Sequence, residues 1–150
     1  MKKAVNECWG TPQGLFDELD REFRFTLDAA ASKENAKCSA FYTKADNALA
    51  LPWSGRVWVN PPYGRAVGAW IGKGWRECVV DANAELVVML VKATTDTQWF
   101  HAYVWDNDVH RSRPRCEVRF IKGRVAFVIP GQKSVGAPFS SMLVIFRRGW

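Results

Sequence analysis

Histidine is scarce in this chain, at two of 150 residues, and none of its four cysteines stands in a Cys-x-x-Cys pair. Cys8, Cys38, Cys78 and Cys116 are far apart, and His101 and His110 add no zinc-ligand spacing. The pattern therefore implies no metal site and reduced thiols. No apolar run approaches the length of a membrane span. The opening MKKAVNECWG carries two lysines with no apolar stretch behind them, unlike a secretory leader. A soluble, cytoplasmic protein is the expectation. Internal repeats and low-complexity linkers are also missing, so residues 1–150 read as a single domain with one core. What remains is a basic chain, with 21 Lys and Arg against 15 Asp and Glu for a net charge of +6. That surplus suits a polyanionic partner. Eight tryptophans supply rings for the core and for stacking against flat ligands.

The apolar pattern predicts a helix over 13–23, with Thr11 as its cap and Pro12 at the first helical position. FTLDAAAS follows, a short strand over 25–27 that runs into a turn of small residues. Residues 33–53 are polar and interrupted, with one short strand near 41–43. RVWVN, 56–60, is a strand that must stop at Pro61-Pro62. A helix is expected over 66–80, carrying Val67, Trp70, Ile71 and Trp75. AELVVMLVKA, 84–93, is apolar without alternation, as parallel central strands are. Another helix is expected over 97–105. CEVRFIKGRVAFVI predicts two strands joined around Lys122-Gly123, and SMLVIF, 141–146, a last strand. Strands alternating with helices indicate an α/β sheet with helices on both faces. Ligands bind such sheets at the carboxyl ends of the strands, which puts Asp28, Asn60 and the residues after Val91 on one rim.

At that rim stands VWVNPPYG, 57–64. The exocyclic amino group of a nucleobase is a poor nucleophile, because its lone pair is delocalised into the ring. Accepting hydrogen bonds from both of its N–H groups helps the nitrogen pyramidalise towards an electrophile. The Asn60 side-chain oxygen can take one, and the Pro61 carbonyl the other. Pro62 biases Pro61 towards an extended conformation and so aims that carbonyl. Tyr63 can stack on a base drawn out of a duplex. The stretch matches the Asn-Pro-Pro-Tyr motif of amino-methyltransferases that use S-adenosylmethionine. In such folds an acid leaving the first strand receives the methionine part of the cofactor. Asp28 fits that place, with Ala29, Ala30 and Ala31 allowing close approach, although the usual glycine-rich turn is absent. Equally, DAAAS reads as the start of a plain helix. Asp46, in the run Asp46-Asn47-Ala48-Leu49 with Trp53 beyond, is either a partner for the cofactor's adenine or an ordinary loop aspartate.

Thr11-Pro12, TLDAAAS, ENAKC, FYT…D…AL…W, GRVWVNPPYG, VKATTDTQWFH, RFIKGRVAF and APFSSMLVIF occur in that order. The series resembles the phage-type DNA N-6-adenine methyltransferase family over nearly the whole chain. The resemblance implies methyl transfer from S-adenosylmethionine to a flipped-out adenine in DNA. The implied fold is a compact α/β methyltransferase variant of the doubly wound, Rossmann-like mixed sheet with an antiparallel last strand. A separate target-recognition domain is not expected, so the protein reads a very short target, methylates with little specificity, or relies on a partner. Thr11, Pro12 and Asn60 are implied in the cofactor site, and Asn60, Pro61, Pro62 and Tyr63 in the catalytic site. Thr94, Thr95, Asp96, Thr97, Trp99 and His101 are flagged too. Asp96 or Trp99 positions the base, or Thr95 or Asp96 simply caps the following helix. Pro138-Phe139 adds a ring to the base site or packs in the core. RSRPR, 111–115, with Arg119, Lys122 and Arg124, offers phosphate contacts or a solvated loop. The same motif serves enzymes acting on RNA bases or on protein glutamine, and a non-catalytic nucleic-acid-binding relative is a further alternative. Protection of phage DNA from restriction, in the bacterial host cytoplasm, is the role the resemblance implies.

Overall fold

The computed structural model describes residues 9–134 and 136–149. Cys8 and most of the MKKAVNECWG stretch, with the reading made of it above, lie outside the described residues. In chain order the elements are α1 (Gln13–Phe23), β1 (Leu27–Asp28), β2 (Gly55–Val59), α2 (Val67–Trp75), β3 (Ala84–Lys92), β4 (Trp105–Asp106), β5 (Arg111–Ser112), β6 (Cys116–Phe120) and β7 (Ser141–Arg147).

β3 is the centre because its residues are apolar on both sides of the pleat. Ala84, Val87, Met89 and Val91 belong to a cluster under one face, while Leu86, Val88 and Leu90 belong to a cluster under the other. β7 divides in the same way, Met142, Val144 and Phe146 to the first face, Leu143 and Ile145 to the second. The five-stranded sheet has the order β1-β2-β3-β7-β6. β1, β2 and β3 are parallel, and β7 runs antiparallel between β3 and β6. The last strand is thus antiparallel, as the family resemblance implied. Each face carries a helix. α1 buries Phe16, Leu19 and Phe23 against Trp58, Leu86 and Val88, and α2 buries Trp70 and Ile71 with the opposite cluster. Gly74 lets α2 come close, since a Cβ there would stand 3.1 Å from Met89 Sδ and 3.2 Å from Val87 Cγ1. Among the described residues, no helix is long and apolar enough to cross a membrane.

Several elements depart from the sequence expectation. α1 has the expected bounds, but Pro12 occupies the cap position and Thr11 makes no capping hydrogen bond. Its hydroxyl is used elsewhere. The first strand falls at 27–28 because Thr26 N already bonds to the Arg56 carbonyl and Phe25 packs among Phe16, Phe23 and Trp58. The expected strand near 41–43 is a single bridge, Phe41 beside Asp28. The second helix is α-helical only to Trp75 and ends in a π-helical turn, Arg76–Val80. After β3 the expected helix is short and largely the π-helical turn Phe100–Val104, followed by the two-stranded ribbon β4–β5 that the sequence did not announce. The strand expected after Lys122-Gly123 does not form. Val125 and Phe127 turn into the second-face cluster, and Val128 pairs with Gly10.

Candidate functional site

The register places the motif residues at one end of the sheet. Asp28 aligns with Trp58, Val59 with Met89, and Val91 with Met142, which aligns in turn with Phe120. The carboxyl ends of β1, β2, β3 and β6 therefore share a rim that carries Asp28, Asn60, Ala93 and Phe120. Three strand spacings, about 14 Å, separate β2 from β6 along it.

Asn60 leaves β2 with its side chain turned towards the segment ahead of α1. Its Nδ2 donates to the Trp9 carbonyl at 2.9 Å and to Thr11 Oγ1 at 3.1 Å. Among the described residues nothing donates to Asn60 Oδ1 or to the Pro61 carbonyl. Internal bonding thus leaves over both acceptors proposed from the sequence for an amine. Pro61 is buried and Pro62 half-buried.

Tyr63 is not a free stacking platform. Its ring meets Trp9, Phe127 and Phe139 edge-on at 6.1, 5.7 and 5.4 Å, and its hydroxyl donates to the Leu90 carbonyl at 3.4 Å. Trp9 and Phe139 stack at 5.5 Å, and the Lys92 ammonium lies 4.8 Å from the Phe139 ring centre. Phe139 accordingly packs with the core. Burial pushes the Tyr63 hydroxyl well above its ordinary pKa, so the ring stays neutral. Trp9 and Phe127 went unnoticed in the sequence. The only signal for Trp9 was its place two residues before Thr11.

Asp28 is buried, and its carboxylate closes the turn that follows β1. Oδ1 accepts from Ala30 N at 3.2 Å and Oδ2 from Lys37 N at 2.9 Å. DAAAS does not start a helix; this turn takes its place. Burial raises the Asp28 pKa, against the lowering effect of those two N–H groups. A carboxylate has about four acceptor positions, so two bonds do not exhaust it. The Ala29 side chain is buried in the first-face cluster, while Ala30 is partly exposed at its edge. Asp46 is exposed, and its Oδ2 caps the turn Lys44–Asp46 by accepting from Thr43 N at 2.8 Å and Thr43 Oγ1 at 3.1 Å. Trp53 is fully buried, with its Nε1 donating to the Ala48 carbonyl, so it packs the core and offers no face to a ligand.

Neither Thr95 nor Asp96 caps the turn after β3. Thr97 does, its Oγ1 accepting from Phe100 N at 3.3 Å. His101 is held between the Thr95 carbonyl and Asn107. The basic stretch is divided by the fold. Cys116 aligns with Val87 through Phe146, so residues 111–115 enter β6 from the end opposite the rim. Arg113 there donates to the His101 carbonyl. Arg119 is not available to phosphates. It holds both Glu22 oxygens at 2.8 Å and Glu117 at 2.6 Å, which draws the Glu22 pKa below the usual carboxylate range. Lys122 and Arg124 are exposed just past the end of β6, and Phe120, its last residue, is 69% exposed.

A family model described as DNA N-6-adenine-methyltransferase (Dam) matches residues 1–150. The chain is 35% identical over 100 residues to a DNA N-6-adenine-methyltransferase of Escherichia phage T1, covering 65% of this chain and 40% of that protein. It is 32% identical over 102 residues to the protein of the same name from Haemophilus phage HP1 (strain HP1c1), covering 66% of this chain and 57% of the relative. A putative methyltransferase of Escherichia coli (strain K12), YfdM, is 42% identical over 69 residues, 41% of this chain and 76% of its own length. The chain thus spans about half the length of the two phage relatives.

Proposed function

This chain belongs to the DNA N-6-adenine-methyltransferase family, and from that premise we propose that it methylates the exocyclic amine of an adenine in DNA. The observation that carries the reading is the bonding of Asn60. Its donors are consumed by Trp9 and Thr11, its oxygen is left to accept, and the Pro61 carbonyl follows it on the same rim.

In this reading the five-stranded sheet is the methyltransferase variant of the doubly wound fold, and S-adenosylmethionine is the cofactor. When bound, the cofactor supplies an electrophilic methyl carbon. The Asp28 carboxylate, buried at the end of β1 and with acceptor positions to spare, suits an ammonium group. Thr11 and Pro12 adjoin the site through Asn60. Asp46, already a turn cap, keeps one carboxylate oxygen for a further donor. Asn60 and the Pro61 carbonyl hold the two amine hydrogens of a flipped-out adenine and orient its nitrogen, so the chain contributes by positioning. The proton leaves to water after transfer, which frees His101 from any role as base.

DNA meets the rim. Lys122 and Arg124 supply phosphate contacts, and Phe120 offers a face on which a base can stack. Reversing both charges, Lys122→Glu with Arg124→Glu, is expected to weaken DNA binding and to make its salt dependence shallower by about two in log–log slope, while cofactor affinity stays the same. An unchanged slope would remove these residues from the DNA surface.

The direct test incubates the protein with labelled S-adenosylmethionine and unmethylated DNA and analyses the nucleosides. N6-methyladenine is expected. Label in RNA or in a glutamine side chain instead would move the substrate to those classes. Cofactor binding without transfer to any of them would leave a non-catalytic relative.

A further inference from the structure

A primary amide has a donor end and an acceptor end of nearly the same size. Half a turn about its terminal torsion exchanges them with little steric change. Asn60 assists an incoming amine only if its oxygen faces outwards, because an outward NH₂ would meet the amine's N–H groups donor to donor. Something must therefore choose between the two orientations. The structure contains such a selector. Asn60 Nδ2 has two acceptors, the Trp9 carbonyl at 2.9 Å and Thr11 Oγ1 at 3.1 Å. The reverse orientation would press Oδ1 against the Trp9 carbonyl oxygen, acceptor to acceptor.

The selector is itself held in place. Thr11 is 3% exposed. Trp9 stacks on Phe139 and packs against Phe127. Between them, Gly10 exchanges two main-chain hydrogen bonds with Val128, at 2.8 and 2.9 Å. The Thr11 hydroxyl makes no capping bond to α1, so its contact with Asn60 is the hydrogen bond it is seen to make.

We propose that Thr11 is a positioning residue for methyl transfer. The Trp9 carbonyl, which can only accept, sets Oδ1 outwards, and the Thr11 hydroxyl holds the amide in that place by a second hydrogen bond. The proposal rests on the reading of Asn60 as the amine's partner, and it goes beyond placing Thr11 in the cofactor site.

Thr11→Val keeps the shape of the side chain and deletes the hydroxyl. It is expected to lower kcat about tenfold, the value of one hydrogen bond of ordinary strength expressed in the transition state. KM for S-adenosylmethionine should stay within about twofold. Thr11→Ser, which restores the hydroxyl, should recover most of the rate. An unaltered kcat in Thr11→Val overturns the proposal. So does a raised KM for the cofactor at constant kcat, which would mean that Thr11 touches the cofactor directly. A second measurement is made on the unmodified protein. In the unmodified protein the Asn60 side-chain NH₂ protons, assigned by their loss in Asn60→Asp, should exchange slowly with solvent, and fast exchange would sink the clamp. If the unmodified protein makes no N6-methyladenine in DNA, the parent reading fails instead, and the exchange measurement still decides the orientation.

Discussion

Asn60→Ala is expected to reduce turnover by about 10²–10³, the range found when a single charge-stabilising contact is removed from an active site. Affinity for S-adenosylmethionine should change little. The two effects separate because the amide oxygen has one proposed partner, the target amine, which gains most from it as the nitrogen pyramidalises. Truncation leaves the Trp9 carbonyl and Thr11 Oγ1 without their donor, a cost of about 1 kcal/mol that does not threaten the fold. Single-turnover kinetics against cofactor titration would check this. A variant that turns over normally would remove Asn60 from the chemistry, and one that loses cofactor binding along with turnover would make it a cofactor residue. Tyr63→Ala is also expected to slow the reaction, but it cannot be read so cleanly. Tyr63 is wedged among Trp9, Phe127 and Phe139, so truncation costs about 3 kcal/mol of packing as well. Tyr63→Phe keeps the ring and those contacts and gives up only a long hydrogen bond to the Leu90 carbonyl, so a normal rate in it beside a slow Tyr63→Ala would assign the effect to the ring and not to the hydroxyl.

The end of β2 ahead of Asn60-Pro61-Pro62-Tyr63 could be read from the sequence because it is local: an apolar strand stopped by a rigid corner. β3 and β7 could be read for the same reason, since runs apolar on both sides of the pleat have only one place to go. What the sequence concealed depends on partners far along the chain. Thr11 looks like a helix cap, and only the fold brings Asn60, 49 residues away, to its hydroxyl. Arg119 looks like a phosphate contact until Glu22, 97 residues away, takes its guanidinium. Val125 to Val128 has the composition of a strand, but the antiparallel partner it needs at the sheet edge is not its neighbour, and only the side chains of Val125 and Phe127 go to the core, Phe127 beside Trp9. Trp53 was drawn towards the site by the run around it and belongs to the core. In each case a local propensity lost to a tertiary contact.

The largest effect on stability is expected at Glu77, far from the chemistry. This residue is 5% exposed. Its Oε1 accepts from Trp53 N at 3.0 Å and Asn83 Nδ2 at 3.2 Å, and its Oε2 takes the Lys73 ammonium at 2.8 Å. One carboxylate therefore joins the segment entering β2, the end of α2 and the segment entering β3. Burial pushes its pKa up, but Lys73, Trp53 and Asn83 outweigh burial and hold it below the usual value. A carboxylate with a lowered pKa in the fold contributes stability above its unfolded pKa of about 4.3, and the contribution disappears as pH falls through the folded value. Glu77→Ala leaves a largely buried ammonium and a buried N–H without a partner and should cost about 3–5 kcal/mol at pH 7. Glu77→Gln keeps an acceptor for Trp53 N but sets an NH₂ against Lys73, and should cost less, about 1–3 kcal/mol. Urea unfolding at pH 7 and at steps down to pH 3 would then show the natural protein and Glu77→Gln converging as the carboxylate protonates. A gap that stays constant with pH would assign the loss to packing alone. Because Trp53 N fixes the entry to β2 and Asn60 stands at that strand's exit, a milder variant here should lower the stability of the whole sheet before it disturbs the distance from Asn60 to Thr11. Its kcat below the unfolding temperature should therefore stay near normal, in contrast to Asn60→Ala.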